Sequence, residues 1–164
     1  MGALTFDALL RSLKQHAPDP VYYLHGEEDV LKDEAVRALL QRAVDPAARD
    51  FNVDQRVAAD LDPEAFNALV NTPPMLTATR AVVLRGMEQL RKTAKVRQEL
   101  LRYVDSPNPT TVLVLVHGTA EPPDAELVRR ATAVEWPTRT LNWAVCTSCG
   151  PRTQTHGPFS MRVG

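Results

Sequence analysis

Val21 to Leu40 reads VYYLHGEEDVLKDEAVRALL: a short apolar run, a glycine-led acidic turn, then a helical stretch. A strand that feeds through a tight turn into a helix admits few folds, because the helix must pack back onto the sheet the strand belongs to. In a nucleotide-binding protein the same layout makes a phosphate loop, G-x-x-x-x-G-K-[ST], whose glycines let backbone N–H groups curl around phosphate. Gly26 and Lys32 stand at the separation that loop requires. The residues around them do not suit an anion. Glu27, Glu28 and Asp29 are carboxylates, Leu31 replaces the second glycine, and Asp33 replaces the hydroxyl that would hold Mg²⁺. Like charges repel strongly in a partly dry cleft. The expectation is therefore a βα turn that keeps the shape of a phosphate loop without its chemistry, with no cofactor at Gly26, Leu31, Lys32 and Asp33. Asp29 is the expected N-cap, and early carboxylates suit the positive end of the helix dipole.

The rest of the chain repeats the alternation of strand and helix. Phe6, Leu9, Leu10 and Leu13 recur at helical spacing behind a candidate cap at Thr5, and Pro18 and Pro20 stop that helix. The helix over 30–44 turns Leu31, Ala35, Val36, Leu39 and Leu40 inward and Lys32, Glu34, Arg37 and Gln41 outward. Phe51, Val53, Gln55 and Val57 alternate as in a strand. Asp62-Pro63 starts a helix, with Asp as cap and Pro at the first helical position. Residues 81–85 (AVVLR) are a strand apolar on both faces, and residues 87–105 return to helical spacing. Residues 111–117 (TVLVLVH) form a long β-branched strand. A helix over 125–133 and a short strand over 134–136 complete the pattern. It predicts an α/β domain with a mostly parallel sheet flanked by helices, spanning residues 1–137.

Composition narrows the function classes. The chain has 164 residues, enough for one domain with a tail, and is 44% hydrophobic and 24% charged, so it can bury a core. A net charge of −1 gives no general electrostatic reason to bind nucleic acid. The two cysteines are too few for a disulfide scaffold. The opening MGALTFDALL lacks the basic lead and long apolar core of a signal peptide. No apolar run reaches membrane-spanning length, so the expectation is a soluble cytoplasmic protein. Residues 138–164 carry Arg139, Arg152 and Arg162 but no Lys and no acidic residue. They read as a flexible tail or a non-native continuation.

The succession YLHGEEDVLKDEA, FNVD at Phe51 to Asp54, PPMLTATRAVVLRG and TVLVLVHG resembles the N-terminal domain of the delta subunit of the bacterial DNA polymerase III clamp loader. The resemblance runs roughly from Asp19 to Trp136 and implies an AAA+ fold without a working ATP site. It implies a replisome protein that contacts the ring-shaped sliding clamp (beta) and favours its opened interface. In the full-length family the partners also include the loader's ATPase and delta-prime subunits, and primer-template DNA through the complex. The family's later domains are missing here, so the expectation is clamp binding without entry into the loader ring. The clamp-binding element implied by the resemblance falls on Pro74, Met75, Leu76, Thr77 and Arg80, with Met75-Leu76 in place of the family's usual Leu-Phe pair. Methionine fills pockets adaptably, and the prolines before it stiffen the approach, which reduces the entropy lost on docking. The alternative is that Met75 and Leu76 fold back and cap their own core.

Other clusters suggest other chemistry. Cys146 and Cys149 with His156 invite zinc, but a structural site needs four ligands; a redox CxxC belongs at a βα junction rather than in a tail. Arg91, Lys92, Lys95, Arg97 and Arg102 make a basic helix face, either a nucleic-acid or subunit contact or simply a solvated surface beside Glu99. No Ser/His/Asp set or nucleophile elbow appears, and the expectation is a non-catalytic interaction module. The rival readings are a divergent P-loop nucleotide-binding protein of NTPase or kinase type, and a nucleic-acid-binding domain that uses the basic helix.

Overall fold

The computed structural model describes residues 4–91, 94–119 and 122–135. Among these, five parallel strands form one sheet: β1 (Val21–His25), β2 (Val53–Val57), β3 (Arg80–Arg85), β4 (Thr111–Val116) and β5 (Thr132–Glu135), in the order β2-β3-β4-β1-β5. The helices are α1 (Phe6–Gln15), α2 (Asp29–Ala43), the single turn α3 (Arg49–Asn52), α4 (Pro63–Asn71), α5 (Lys95–Asp105) and α6 (Ala125–Arg130).

The alternation of side chains along each strand divides the core into two layers. Leu24, Ala81, Val83, Val112 and Val114 face α1 and α2. Tyr23, Val82, Leu84, Leu113 and Leu115 face α4, α5 and α6. Central strands buried on both faces explain why β3 and β4 read as unbroken apolar runs. In the second layer the Phe66 and Tyr103 rings meet edge to face at 5.9 Å. The α/β class, the parallel sheet and its flanking helices follow the sequence expectation. No helix among the described residues is long and apolar enough to cross a membrane.

Caps fix several boundaries as expected. Thr5 Oγ1 accepts from Ala8 N–H, and Asp62 Oδ1 accepts from Ala65 N–H at 2.7 Å. Four boundaries differ. Asp29 is the first residue of α2 rather than its cap, a position taken by Glu28 without a side-chain bond, because the Asp29 carboxylate pairs with Lys32 instead. Residues 49–52 close a helical turn, so the strand begins at Val53 and Phe51 lies outside the sheet. The helix expected over 87–105 begins only at Lys95. Gly86 sits in the left-handed region (φ 72°) and turns the chain into a 3-10 turn at Met87–Gln89, from which Met87 and Leu90 still reach the α5 layer. The apolar spacing is continuous there while the backbone is not. Finally, α6 ends at Arg130, since Ala133 and Val134 are drawn into pairing with Tyr23 and Leu24 of β1. Trp136 and residues 138–164, with Cys146, Cys149 and His156, lie outside the described residues.

Candidate functional site

Two regions hold the singled-out residues, at opposite ends of the sheet. At the C-terminal ends of the strands, Gly26 (φ 132°) opens the β1–α2 turn. Lys32 does not lie on the solvent face of α2 as its helical position suggested; it is 2% exposed. Its Nζ donates to Gly26 O at 2.9 Å and His117 O at 2.8 Å, and lies 2.7 Å from Asp29 Oδ1. A lysine stem is apolar and buries readily when its head group finds acceptors; the ends of β1 and β4 supply them. Asp33 pairs with Arg85 at 2.8 Å, and Glu88 accepts from Gly118 N–H at 2.8 Å. These residues line a cleft of about 420 Å³. The cation of the degenerate loop thus serves the chain's own carbonyls, and carboxylates occupy the rim.

Beside this cleft, Tyr23 Oη lies 3.3 Å from His117 Nδ1. Burial pushes the Tyr23 hydroxyl up to about 12. Burial holds His25 below its ordinary value, with His117 and Lys32 adding to the effect against Glu135. Arg97, expected on a basic face, binds Asp124 at 2.7 Å and Glu126 at 3.1 Å, and joins α5 to α6. Arg102 pairs with Glu99 at 2.9 Å. Two cations of that face are therefore paired within the fold; Lys92 lies outside the described residues.

The second region is the segment between α4 and β3, at the N-terminal ends of the strands. Thr72 caps α4, and Pro73-Pro74 carry the chain away from it. Met75 is 55% exposed and Leu76 93%, so neither folds back onto the core. Leu76 holds φ 60°, the one non-glycine residue with positive φ among those described. Beyond it, Thr77 Oγ1 donates to Thr79 O at 2.8 Å and Thr79 Oγ1 donates to Ala43 O. Arg80 is not part of the exposed surface. It is buried, pairs with Asp54 of β2, and donates to Thr72 O at 3.2 Å. Its guanidinium ties the base of the loop to β2 and to the end of α4. Pro74 and Thr77 are half-buried.

Two neighbours of this loop were not legible as such from sequence. Asn52 is 1% exposed, and its carboxamide binds the Met75 backbone twice. Phe51, 62% exposed, sits on the same helical turn. The alternation of Phe51, Val53 and Val57 masked both, because it reads as a strand.

Comparison with known proteins matches the chain to one family. The family model described as DNA polymerase III, delta subunit matches residues 22–127, more than half of the chain. The DNA polymerase III subunit delta of Bacillus subtilis is 31% identical over 122 residues, covering 69% of this chain and 34% of that protein. The solved Bacillus subtilis DNA clamp loader delta protein superposes with a TM-score of 0.69 at 26% identity, over 80% of this chain and 42% of that one. A DNA polymerase III gamma subunit-related protein of Thermotoga maritima (TM-score 0.59, 15% identity, 83% and 47% covered) shares the fold. So does a single-substitution variant of Thermotoga maritima RuvB (TM-score 0.51, 12% identity, 80% and 42% covered). The chain spans about a third of the length of the curated relative it matches. With an AAA+-like sheet, and a family match that runs through four of its five strands and the β1–α2 turn, the chain belongs to the DNA polymerase III delta subunit family of clamp-loader proteins.

Proposed function

We propose that this chain is the clamp-docking domain of a clamp-loader delta subunit: a non-catalytic module that binds the sliding clamp through Met75 and Leu76 and favours the opened ring. The observation that carries the reading is Leu76, 93% exposed at φ 60°. A side chain with a Cβ costs about 1–2 kcal/mol in the left-handed region. An apolar side chain in water returns none of that through packing inside the chain. A pocket on a partner would return it, at roughly 1.5–3 kcal/mol for each of the two side chains on full burial.

Opening follows from differential affinity, since a ligand shifts an equilibrium only by the difference in its binding to the two states. Taking a ring from about 1% to about 99% open needs a preference near 10⁴-fold, about 5.5 kcal/mol. Met75 and Leu76 together reach that figure only if nearly all of their burial is specific to the open state, so the surface around them must share the task. Assembly with the loader's ATPase and delta-prime subunits, and with primer-template DNA through them, is proposed for the whole protein rather than for this stretch.

Titration calorimetry against the cognate clamp tests the reading. Met75→Ala with Leu76→Ala is expected to weaken binding at least about 100-fold, roughly 2.7 kcal/mol, with the melting temperature unchanged. Equal affinity in the double variant and the parent would remove these residues from the interface. Unfolding of the variant would instead assign them to the core.

A further inference from the structure

We propose that Asn52 is the positioning residue of the docking loop: its buried carboxamide fixes the Met75 backbone so that Leu76 is presented in its left-handed conformation before any partner arrives. The proposal rests on the docking reading for its partner, and on three hydrogen bonds for its geometry. Asn52 Oδ1 accepts from Met75 N–H at 2.7 Å, and Asn52 Nδ2 donates to Met75 O at 2.7 Å and to Ala48 O at 2.9 Å. The first two make a closed ring between one side-chain amide and one backbone residue, the pairing a neighbouring strand would give.

This arrangement selects asparagine. Both amide hydrogens face carbonyls and the oxygen faces an N–H, so the flipped orientation would set oxygen against two oxygens. Aspartate would set a charged oxygen against the same two carbonyls, and glutamine is a methylene too long for a site 1% exposed. The bond to Ala48 anchors the amide within its own turn, which makes the loop, not the asparagine, the part that is held. Asn52 acts on one side of Leu76, while the Thr77–Thr79–Ala43 chain of bonds acts on the other. A strained exposed residue persists only when its surroundings over-determine it; these two brackets flank Leu76, and the Arg80 bond to Thr72 O closes the base of the loop behind them. A loop already in its bound shape loses less conformational freedom on docking.

The test uses the full 164-residue chain with two readouts, the exchange rate of the Met75 amide by NMR and the affinity for the cognate clamp. Asn52→Ala is expected to speed Met75 exchange and to weaken clamp binding by about tenfold. Combined with Met75→Ala and Leu76→Ala it should add no further loss, because coupled residues are not additive. Should Asn52→Ala fail to fold, Asn52→Ser carries the test; it adds no buried charge and cannot reach both Met75 groups, and the same direction of change in both readouts is expected. A folded variant with faster Met75 exchange and undiminished affinity overturns the proposal, as does an exchange rate equal to the parent's. A parent that does not bind the clamp refutes the docking reading instead, and the exchange rates still decide whether Asn52 holds the loop.

Discussion

Lys32 and Asn52 are the residues on which the two ends of the domain turn, and both are polar groups buried because the backbone gives them partners. Lys32 satisfies the carbonyls of Gly26 and His117. Lys32→Ala would leave both without that donor and open space beneath the β1–α2 turn, at a cost of roughly 2–4 kcal/mol. Chemical denaturation measures that loss. Melting curves of the parent with and without Mg·ATP are expected to coincide, whereas a clear upward shift would revive the divergent P-loop reading. Neither role was visible in the chain's spelling. Lys32 falls on the polar side of α2 by helical spacing, and only the approach of β4, contributed 85 residues later by His117, supplies the acceptor that draws it inward. Asn52 shows nothing in sequence beyond its place in FNVD, because the residue it binds lies 23 positions away.

Elements were more legible than their junctions, and for a physical reason. Each strand and most helices announce themselves by local periodicity, but where one ends depends on what it meets. The alternating Phe51, Val53 and Val57 conceal a helical turn, and the spacing of Met87 and Leu90 with the α5 residues conceals a break at Gly86. One junction makes a pH prediction. Asp124 caps α6 and binds Arg97 of α5. Burial alone would raise its carboxyl, but the Arg97 guanidinium and the N–H groups of Glu126 and Leu127 outweigh this and hold it below the ordinary carboxylate value. The unfolded chain therefore binds the proton first, near pH ~3.9. The stabilisation is complete above that value and is lost as pH falls through the lower folded one. Asp124→Asn is expected to cost about 1–3 kcal/mol at neutral pH and to flatten the acid limb of a stability curve measured by urea unfolding. An acid limb as steep as the parent's would separate Asp124 from it.

At the scale of the molecule, the sheet has two unlike ends. At the strand C-termini Lys32 is drawn inward and acids line the cleft, while the N-terminal end of β3 carries the exposed loop. With net charge −1 and Arg97 and Arg102 paired internally, the α5 face offers phosphate backbones fewer unpaired cations than its spelling suggests. Clamp binding by an apolar pair should therefore change only a few-fold between about 50 and 200 mM salt, whereas binding carried by phosphate contacts falls by orders of magnitude over the same range. Calorimetry at the two salt concentrations, with duplex DNA as the comparison ligand, separates these outcomes.

The placing of the loop directly ahead of β3 has a mechanical consequence. That strand is hydrogen-bonded along its length to β2 on one side and β4 on the other. A tug on Leu76 is thus delivered parallel to the strand, loading both ladders in shear at once instead of unzipping them rung by rung. A pull along β3 therefore meets both ladders together, whatever partner applies it.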